Sequence, residues 1–349
     1  MKWRWKPNEC DLPIFNPYQF LEIVRDKSLA FIGDSVGGNH MQSLICLLAM
    51  VEIPINVSPT KEGRFARWKF ASYNFTVASF WSPYLIKYNQ PEGNAHTVVF
   101  NLYLDEIDEK WTNSIDDFSY LVINAGHWFT RASLYHENRQ VIGCKYCQKE
   151  NITDYPMTFG YRRALRTAFK GIMSRENFKG VTLLRTFAPM HFEGGNWNEA
   201  GDCIRKKPFK NNEIRLEGSN LELYLAQMEE LKWAENKAKE VGLKLRIMDI
   251  TQAMLLRPDG HPSKYGHWPN QTVPMYNDCV HWCLPGPIDT WSEFLLYMLK
   301  MEHYTVEHEA RNRCTVQPTD SFQDVIRMIE QNHKLSPRCY KRVQLTISN

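Results

Sequence analysis

The sequence predicts an α/β fold, a mostly parallel sheet flanked by helices with a β-rich insertion. Three observations carry this. Four strand-like apolar runs, residues 28–32, 120–124, 181–186 and 243–249, are spaced along the chain. Helical patterns lie between them, and such alternation reads as a parallel sheet covered by helices. Chemistry-bearing residues follow three of the runs directly, at the carboxyl ends where such sheets build their sites.

Taken in order, Ser28 to Ile32 is β-prone and leads into Gly33-Asp34-Ser35, and a helix-like stretch, Met41 to Met50, follows. Ser35 is therefore expected on a strand-to-helix turn. Residues 57–105 alternate like a strand, as in Tyr73-Asn74-Phe75-Thr76-Val77, and are expected to form an antiparallel insertion. Tyr120 to Asn124 ends in Ala125-Gly126-His127. A helix is expected over Tyr161 to Met173, then the strand Val181 to Thr186, with Arg185 to His191 at its end. The loop Met190 to Asn220 is rich in Gly and Asn and has a length that is usually functional or disordered. Ser219 to Val241 is the clearest helix, with Leu221, Leu225, Met228 and Leu231 on one face and Gly242 closing it. After the strand Leu243 to Asp249, a last helix runs from Asp289 to Met301. From Glu302 the chain is polar and irregular, with one modest helix, Ser321 to Gln331. Residues 1–301 are thus expected as one domain and 302–349 as a peripheral tail.

The formal charge of +3 sets 42 basic against 39 acidic residues with no long Lys/Arg run, which argues against nucleic acid as a partner. Eleven Trp, sixteen Tyr and eighteen Phe are chiefly core material, although an aromatic-lined cleft can stack on sugar rings. Nine cysteines and four N-x-S/T sequons, at Asn56, Asn74, Asn151 and Asn270, favour an oxidising, secretory compartment. Against that, Met1 to Lys6 is not an apolar signal stretch, and no window is long and apolar enough to span a membrane. Either the secretory reading fails or the chain lacks its true N-terminus. Cys144-Lys145-Tyr146-Cys147 has no second CxxC at suitable spacing, so a local disulfide or inert thiols is preferred over zinc, and no metal site is expected.

The chemistry concentrates in Gly33-Asp34-Ser35 and Asp278-Cys279-Val280-His281. A serine hydroxyl is a poor nucleophile and needs an adjacent base. The offset from Asp278 to His281 lets one short turn present a base and the carboxylate that orients it. Each half alone is weak: Ser35 also reads as a plain helix N-cap and Asp34 as a turn cap. His127 and Trp128 read equally as cleft lining or as a packed aromatic pair, and His191 and His261 as structural hydrogen-bonders.

The motifs, in order along the chain, resemble the trichome birefringence-like family of plant cell-wall polysaccharide O-acetyltransferases, a PC-esterase/GDSL-like group. The matching residues are Trp3-Arg4-Trp5-Lys6-Pro7 with Cys10, Leu12 and Pro13, then Gly33-Asp34-Ser35 with Asn39. Asn124, Gly126, His127 and Trp128 follow, then Asp259-Gly260-His261-Pro262, and finally Asp278-Cys279 with His281 to Gly286. Residues 67–83, including Arg67-Trp68-Lys69-Phe70 and Phe80-Trp81-Ser82-Pro83, look most like the branch that includes xyloglucan O-acetyltransferases.

The resemblance implies an SGNH/GDSL-like fold and acetyl transfer onto a hydroxyl of a wall polysaccharide, with Ser35, Asp278 and His281 as the catalytic triad. The acetyl group would pass through an acetyl-serine. Gly33, Asp34, Asn39, Gly126, His127 and Trp128 are the residues expected around the oxyanion and the substrate. No bound cofactor is implied, but an acetyl donor is required, acetyl-CoA or another carrier, and an acetyl-donating membrane partner is a further expectation. Family members are typically single-pass Golgi membrane proteins facing the lumen, so the resemblance implies the lumenal side of the Golgi membrane here. An esterase with the same triad, or an inactive wall-polysaccharide-binding homologue, are the competing readings.

Two departures stand out. Relatives carry a membrane anchor and a cysteine-rich segment ahead of the W-R-W-K-P motif, so the chain is expected to lack them. Cys203 and Cys279 match positions that pair with each other, whereas Cys10, Cys46 and Cys283 match positions whose partners lie in that segment. Cys314 and Cys339 have no counterpart. Losing one such bridge costs about 2–5 kcal/mol, against a total stability of roughly 5–15 kcal/mol. Gly38 stands where many relatives have Arg, a charged donor near the nucleophile.

Overall fold

A computed structural model describes residues 12, 14–59, 65–91, 98–147, 150–197, 199–265 and 277–312. The Trp3–Pro7 motif, Cys10, Asn270, Cys314, Cys339 and the expected tail helix Ser321–Gln331 lie outside the described residues.

The elements in order are α1 (Pro17–Ile23), β1 (Ser28–Gly33), α2 (Ser35–Leu48), β2 (Ile55–Asn56), β3 (Phe65–Phe70), β4 (Phe75–Trp81), β5 (Ile86–Asn89), β6 (Phe100–Ile107) and α3 (Glu109–Thr112). There follow β7 (Tyr120–Asn124), β8 (Ser133–Glu137), β9 (Gln140–Lys145), α4 (Met157–Met173), β10 (Val181–Arg185), α5 (Gly218–Glu240), β11 (Lys244–Met248), α6 (Thr251–Leu255) and α7 (Asp289–Asn312). The main sheet has the order β11-β10-β7-β1-β4-β3-β2. Its five strands from β11 to β4 are parallel, and β3 and β2 pair antiparallel at the edge.

All four strands expected from the apolar runs form and sit side by side in that parallel block. Burial explains why. Leu29 and Phe31 of β1 face a core with Phe75, Val77, Val122, α1, α2 and α7, while Ala30 and Ile32 face the other core with Leu121, Ile123, α4 and α5. A strand buried on both faces reads as a continuous apolar run.

The β-rich insertion exists but has a different membership from the one expected. β4 pairs antiparallel with β3 as expected, but its other edge joins the main sheet. It pairs parallel with β1, Ser28 opposite Thr76 through Gly33 opposite Trp81. Alternation in sequence identifies a strand without naming its neighbour. The second sheet, β5-β6-β8-β9, draws instead on residues either side of β7.

Two helices also differ. α5 buries Leu223, Tyr224, Gln227, Met228, Leu231 and Ala234, while Leu225, expected on the apolar face, is 45% exposed. The phase is set by polar anchors: Gln227 accepts from the Phe187 N–H, and Tyr224 donates to Asp249. The last helix continues past Met301 to Asn312, and Glu302 accepts from Arg246 of β11 at 2.6 Å.

Candidate active site

β1 ends in Gly33, whose φ of +151° and close neighbour admit no side chain, since a Cβ there would lie 1.7 Å from the Asn124 carbonyl oxygen. The chain turns, and Asp34 starts α2 as its N-cap, Oδ1 accepting from the Val36 N–H at 3.1 Å. The Asp34 carbonyl also accepts from the Gly37 and Gly38 N–H groups. Ser35 is consequently the first residue of the helix, at the carboxyl edge of the sheet.

The partner arrives from the far end of the chain. Nε2 of His281 lies 2.6 Å from Ser35 Oγ, and Nδ1 of His281 lies 2.9 Å from Asp278 Oδ2. Oδ1 of Asp278 accepts from the backbone N–H groups of Val280 and His281, so the short turn between them is closed by the carboxylate itself. Burial alone would raise the Asp278 carboxyl, but the His281 ring and those two N–H groups outweigh it and bring it down to about 2. Burial likewise opposes charge on His281, yet the bond to Asp278, its charge and that of Asp34 hold the imidazole above its ordinary value. The three residues thus form a nucleophile, a base and an orienting carboxylate in contact.

The loop carrying Asp278 and His281 is fixed from several sides. Cys279 is disulfide-bonded to Cys203, the pairing the resemblance implies. Asp278 and Ser263 exchange backbone hydrogen bonds, the Cys283 N–H donates to the Gly260 carbonyl, and His261 meets the His281 carbonyl at 2.7 Å. From α2, Asn39 donates to the Trp282 carbonyl at 3.1 Å and accepts from its N–H at 2.8 Å. Asn39, expected near the oxyanion, therefore acts as a tie between the nucleophile helix and the base loop.

His127 also points elsewhere than expected. Its Nδ1 lies 3.4 Å from Asp34 Oδ2 and its Nε2 donates to the Ala188 carbonyl at 3.0 Å, with the ring stacked on Phe187. It packs behind Asp34. Burial would raise the Asp34 carboxyl, but His127, Arg185 and the Val36 N–H hold it below its ordinary value. Gly126, with φ +149°, lets Phe187 approach, since a Cβ there would lie 2.7 Å from that ring.

Further residues complete the surroundings, among them Arg185 and Trp128, which the sequence places there by position and by motif. Arg185, at the end of β10, is 2% exposed, donates to the Val36 carbonyl at 3.1 Å and lies over the Trp291 ring. Burial brings its guanidinium down to about 10, against the pull of Asp34 and Tyr161. Trp81, opposite Gly33 at the end of β4, meets Trp128 edge to face at 5.4 Å, and Arg131 covers the Trp128 ring at 4.3 Å. Both tryptophans are half-buried. Trp128 was expected near the substrate, whereas for Arg185 and Trp81 the signal was position, each ending a strand of the parallel block.

Gly38 lies one turn after Ser35, and a Cβ there would have nothing within 4 Å. Cys144 and Cys147 form a local disulfide, and Cys46 and Cys283 are free thiols. Asn56, Asn74 and Asn151 are exposed. Among the described residues no helix is long and apolar enough to cross a membrane, and no group of three or more His, Cys, Asp or Glu is placed to hold a metal ion.

Comparison with known proteins agrees with this geometry. The family model for PC-Esterase, described as the GDSL/SGNH-like acyl-esterase family found in Pmr5 and Cas1p, matches residues 12–298. Protein trichome birefringence-like 19 of Arabidopsis thaliana is 56% identical over 306 residues, covering 86% of this chain and 72% of that protein. Protein trichome birefringence-like 20 of the same plant is 52% identical, over 86% of this chain and 63% of its own length. Xyloglucan O-acetyltransferase 4 of Populus trichocarpa is 44% identical, over 86% and 71%. A serine, histidine and aspartate joined at the carboxyl edge of a parallel sheet suit acyl-ester chemistry, and on the match over residues 12–298 the chain belongs to the PC-esterase family of GDSL/SGNH-like acyl-esterases.

Proposed function

We propose that this chain is an acyltransferase that places acetyl groups on hydroxyls of a plant cell-wall polysaccharide, with xyloglucan as the first acceptor to test. The observation that carries it is the continuous Ser35–His281–Asp278 chain of contacts in a relative of named xyloglucan O-acetyltransferases. In this reading His281 takes the Ser35 proton, Ser35 attacks the acetyl carbonyl, and the donor leaves with that proton. His281 then takes a proton from a sugar hydroxyl, whose oxygen attacks the acetyl carbonyl and carries the acetyl group away as His281 returns the proton to the departing Ser35 Oγ. General-base help of this kind contributes about 10²–10⁴ in rate. Asp34 occupies the N–H groups of Val36, Gly37 and Gly38, so the Ser35 N–H is the first-turn donor left for the tetrahedral oxyanion. Such a donor is worth roughly 3 kcal/mol.

Trp81 and Trp128 supply a wall on which the acceptor sugar rings pack. Position supports this, since the Trp81 backbone is paired with Gly33, two residues before the nucleophile. The acetyl donor is acetyl-CoA or another carrier, reached directly or through a membrane partner. Two disulfides and three exposed sequons support work in an oxidising lumen such as the Golgi, with Asn56, Asn74 and Asn151 as the glycan sites.

Hydrolysis is the second reading, favoured by the family's acyl-esterase description: the same acetyl-serine would be resolved by water. Incubation with an activated acetyl donor and xyloglucan oligosaccharides separates the two. Acetylated oligosaccharide that disappears in Ser35→Ala supports transfer, free acetate alone supports hydrolysis, and neither product refutes both.

A further inference from the structure

Behind the triad, a second pair of histidines supports the loop that carries His281. His191 follows β10 and His261 ends the turn after α6; they are 5% and 6% exposed. Nδ1 of His191 lies 2.7 Å from Nε2 of His261. Their outer nitrogens both face backbone carbonyls, His191 Nε2 at 3.0 Å from Leu255 and His261 Nδ1 at 2.7 Å from His281. A carbonyl only accepts, so both outer nitrogens carry hydrogen. A neutral imidazole has a single N–H. With both rings neutral, the inner nitrogens would be two bare lone pairs pointed at each other at 2.7 Å, which repel. One additional proton turns that repulsion into an N–H···N hydrogen bond.

We propose that His191 and His261 share one proton as a single buried monocation, and that His261 in this state is a positioning residue for the His281 base. The inference rests on the reading of Ser35 and His281 as the reacting pair. Burial opposes the charge, pushing His191 down and His261 to about 3. The surroundings favour it. From its own segment Glu193 faces His191, paired with Arg205, and from the turn after α6 Asp259 faces it, paired with Arg257. From the base loop Asp278 and His281 face His261, the first favouring and the second opposing a cation, and the Trp282 ring flanks both histidines. The bond itself adds to the favourable side, because only the protonated pair can make it. The proton belongs to the pair rather than to either ring. It is present on the acid side and is released to solvent as pH rises. Its loss opens the contact, frees His261 and loosens its hold on the His281 carbonyl.

The test is a histidine-ring ¹⁵N titration of the intact protein from about pH 5 to about pH 9, spanning the histidine range. The account expects one hydrogen coupled to nitrogens of both rings on the acid side, lost at higher pH. Two singly protonated, neutral rings throughout would overturn the shared proton, whether or not the chain acts on esters. The second arm is the pH profile of acetyl-ester turnover. Misplacing a reacting group by about 1 Å can cost up to about 10²-fold, so an alkaline-side fall of about ten- to a hundredfold is expected. In His191→Phe that limb disappears and the rate is low at every pH. Equal limbs in both proteins would overturn the positioning role. If no ester is turned over, the His281 ring signals replace this arm: they shift as the pair deprotonates, and unmoved signals overturn the role. His191→Gln, checked by thermal unfolding, is the second variant should His191→Phe not fold.

Discussion

Asn39 and Trp282 are joined by two reciprocal hydrogen bonds, side-chain amide to backbone in both directions, at 3.1 and 2.8 Å. They tie the helix that begins at Ser35 to the residue next to His281. Asn39→Ala leaves a buried N–H and carbonyl unpaired, which costs on the order of 2–3 kcal/mol. Urea unfolding should show that loss, and kcat should fall more than KM rises, because the base drifts from the nucleophile.

The disulfide from Cys203 to Cys279 holds the same loop from the opposite side, across a sequence separation of 76. Cys203→Ser should lower stability by about 2–5 kcal/mol. Reductant titration followed by thermal unfolding checks this, and activity should fall with the disulfide rather than with global unfolding.

The pH dependence follows from two opposite shifts. Asp278 sits below its ordinary value, at about 2, so its stabilising contribution is full above the unfolded carboxyl value and is lost as pH falls toward 2. That contribution is about 2 kcal/mol. His281 sits above its ordinary value, so its pairing with Asp278 stabilises fully below the unfolded histidine value and is lost as pH rises through the folded one. As a base, His281 must be neutral, so kcat/KM should rise with pH through a value above the ordinary 6.5. Asp278→Asn should move that limb to lower pH while the plateau drops by roughly 10⁴-fold.

Trp81 and Trp128 stand at 5.4 Å beside the turn that presents Ser35. Trp81→Ala should raise KM for oligosaccharide acceptors about tenfold, equivalent to about 1.4 kcal/mol. Hydrolysis of a small acetyl ester should change little. An equal loss on both substrates would assign Trp81 to the scaffold instead.

The strands around Ser28, Tyr120 and Val181 were legible because each is buried on both faces and reads as an apolar run, whereas the edge strand around Lys244 buries Leu245 and Ile247 and leaves Lys244 and Arg246 half-buried between them. Ser35, Asp278 and His281 were legible because short spacing fixes local geometry: one turn, closed by Asp278 on the N–H groups of Val280 and His281. Strand partnership across the fold was not legible. The pattern from Phe75 to Trp81 announces a strand, but its place beside β1 depends on long-range burial. The face of α5 was misread because buried Gln227 and Tyr224 look polar and set its phase through Phe187 and Asp249. Arg185 was expected at the rim of the site and His191 and His261 as structural hydrogen-bonders, but their partners were hidden, since polar residues gain their meaning only from the partners that burial gives them.

The central claim is that Ser35, activated by His281, carries the acetyl group. Brief reaction with an activated acetyl ester, acid quench and peptide mass spectrometry tests it most directly. The account predicts one acetyl group on the peptide containing Ser35, enriched at low acceptor concentration and absent from Ser35→Ala. Acetylated product formed at an undiminished rate by Ser35→Ala, with no label on that peptide, would contradict it.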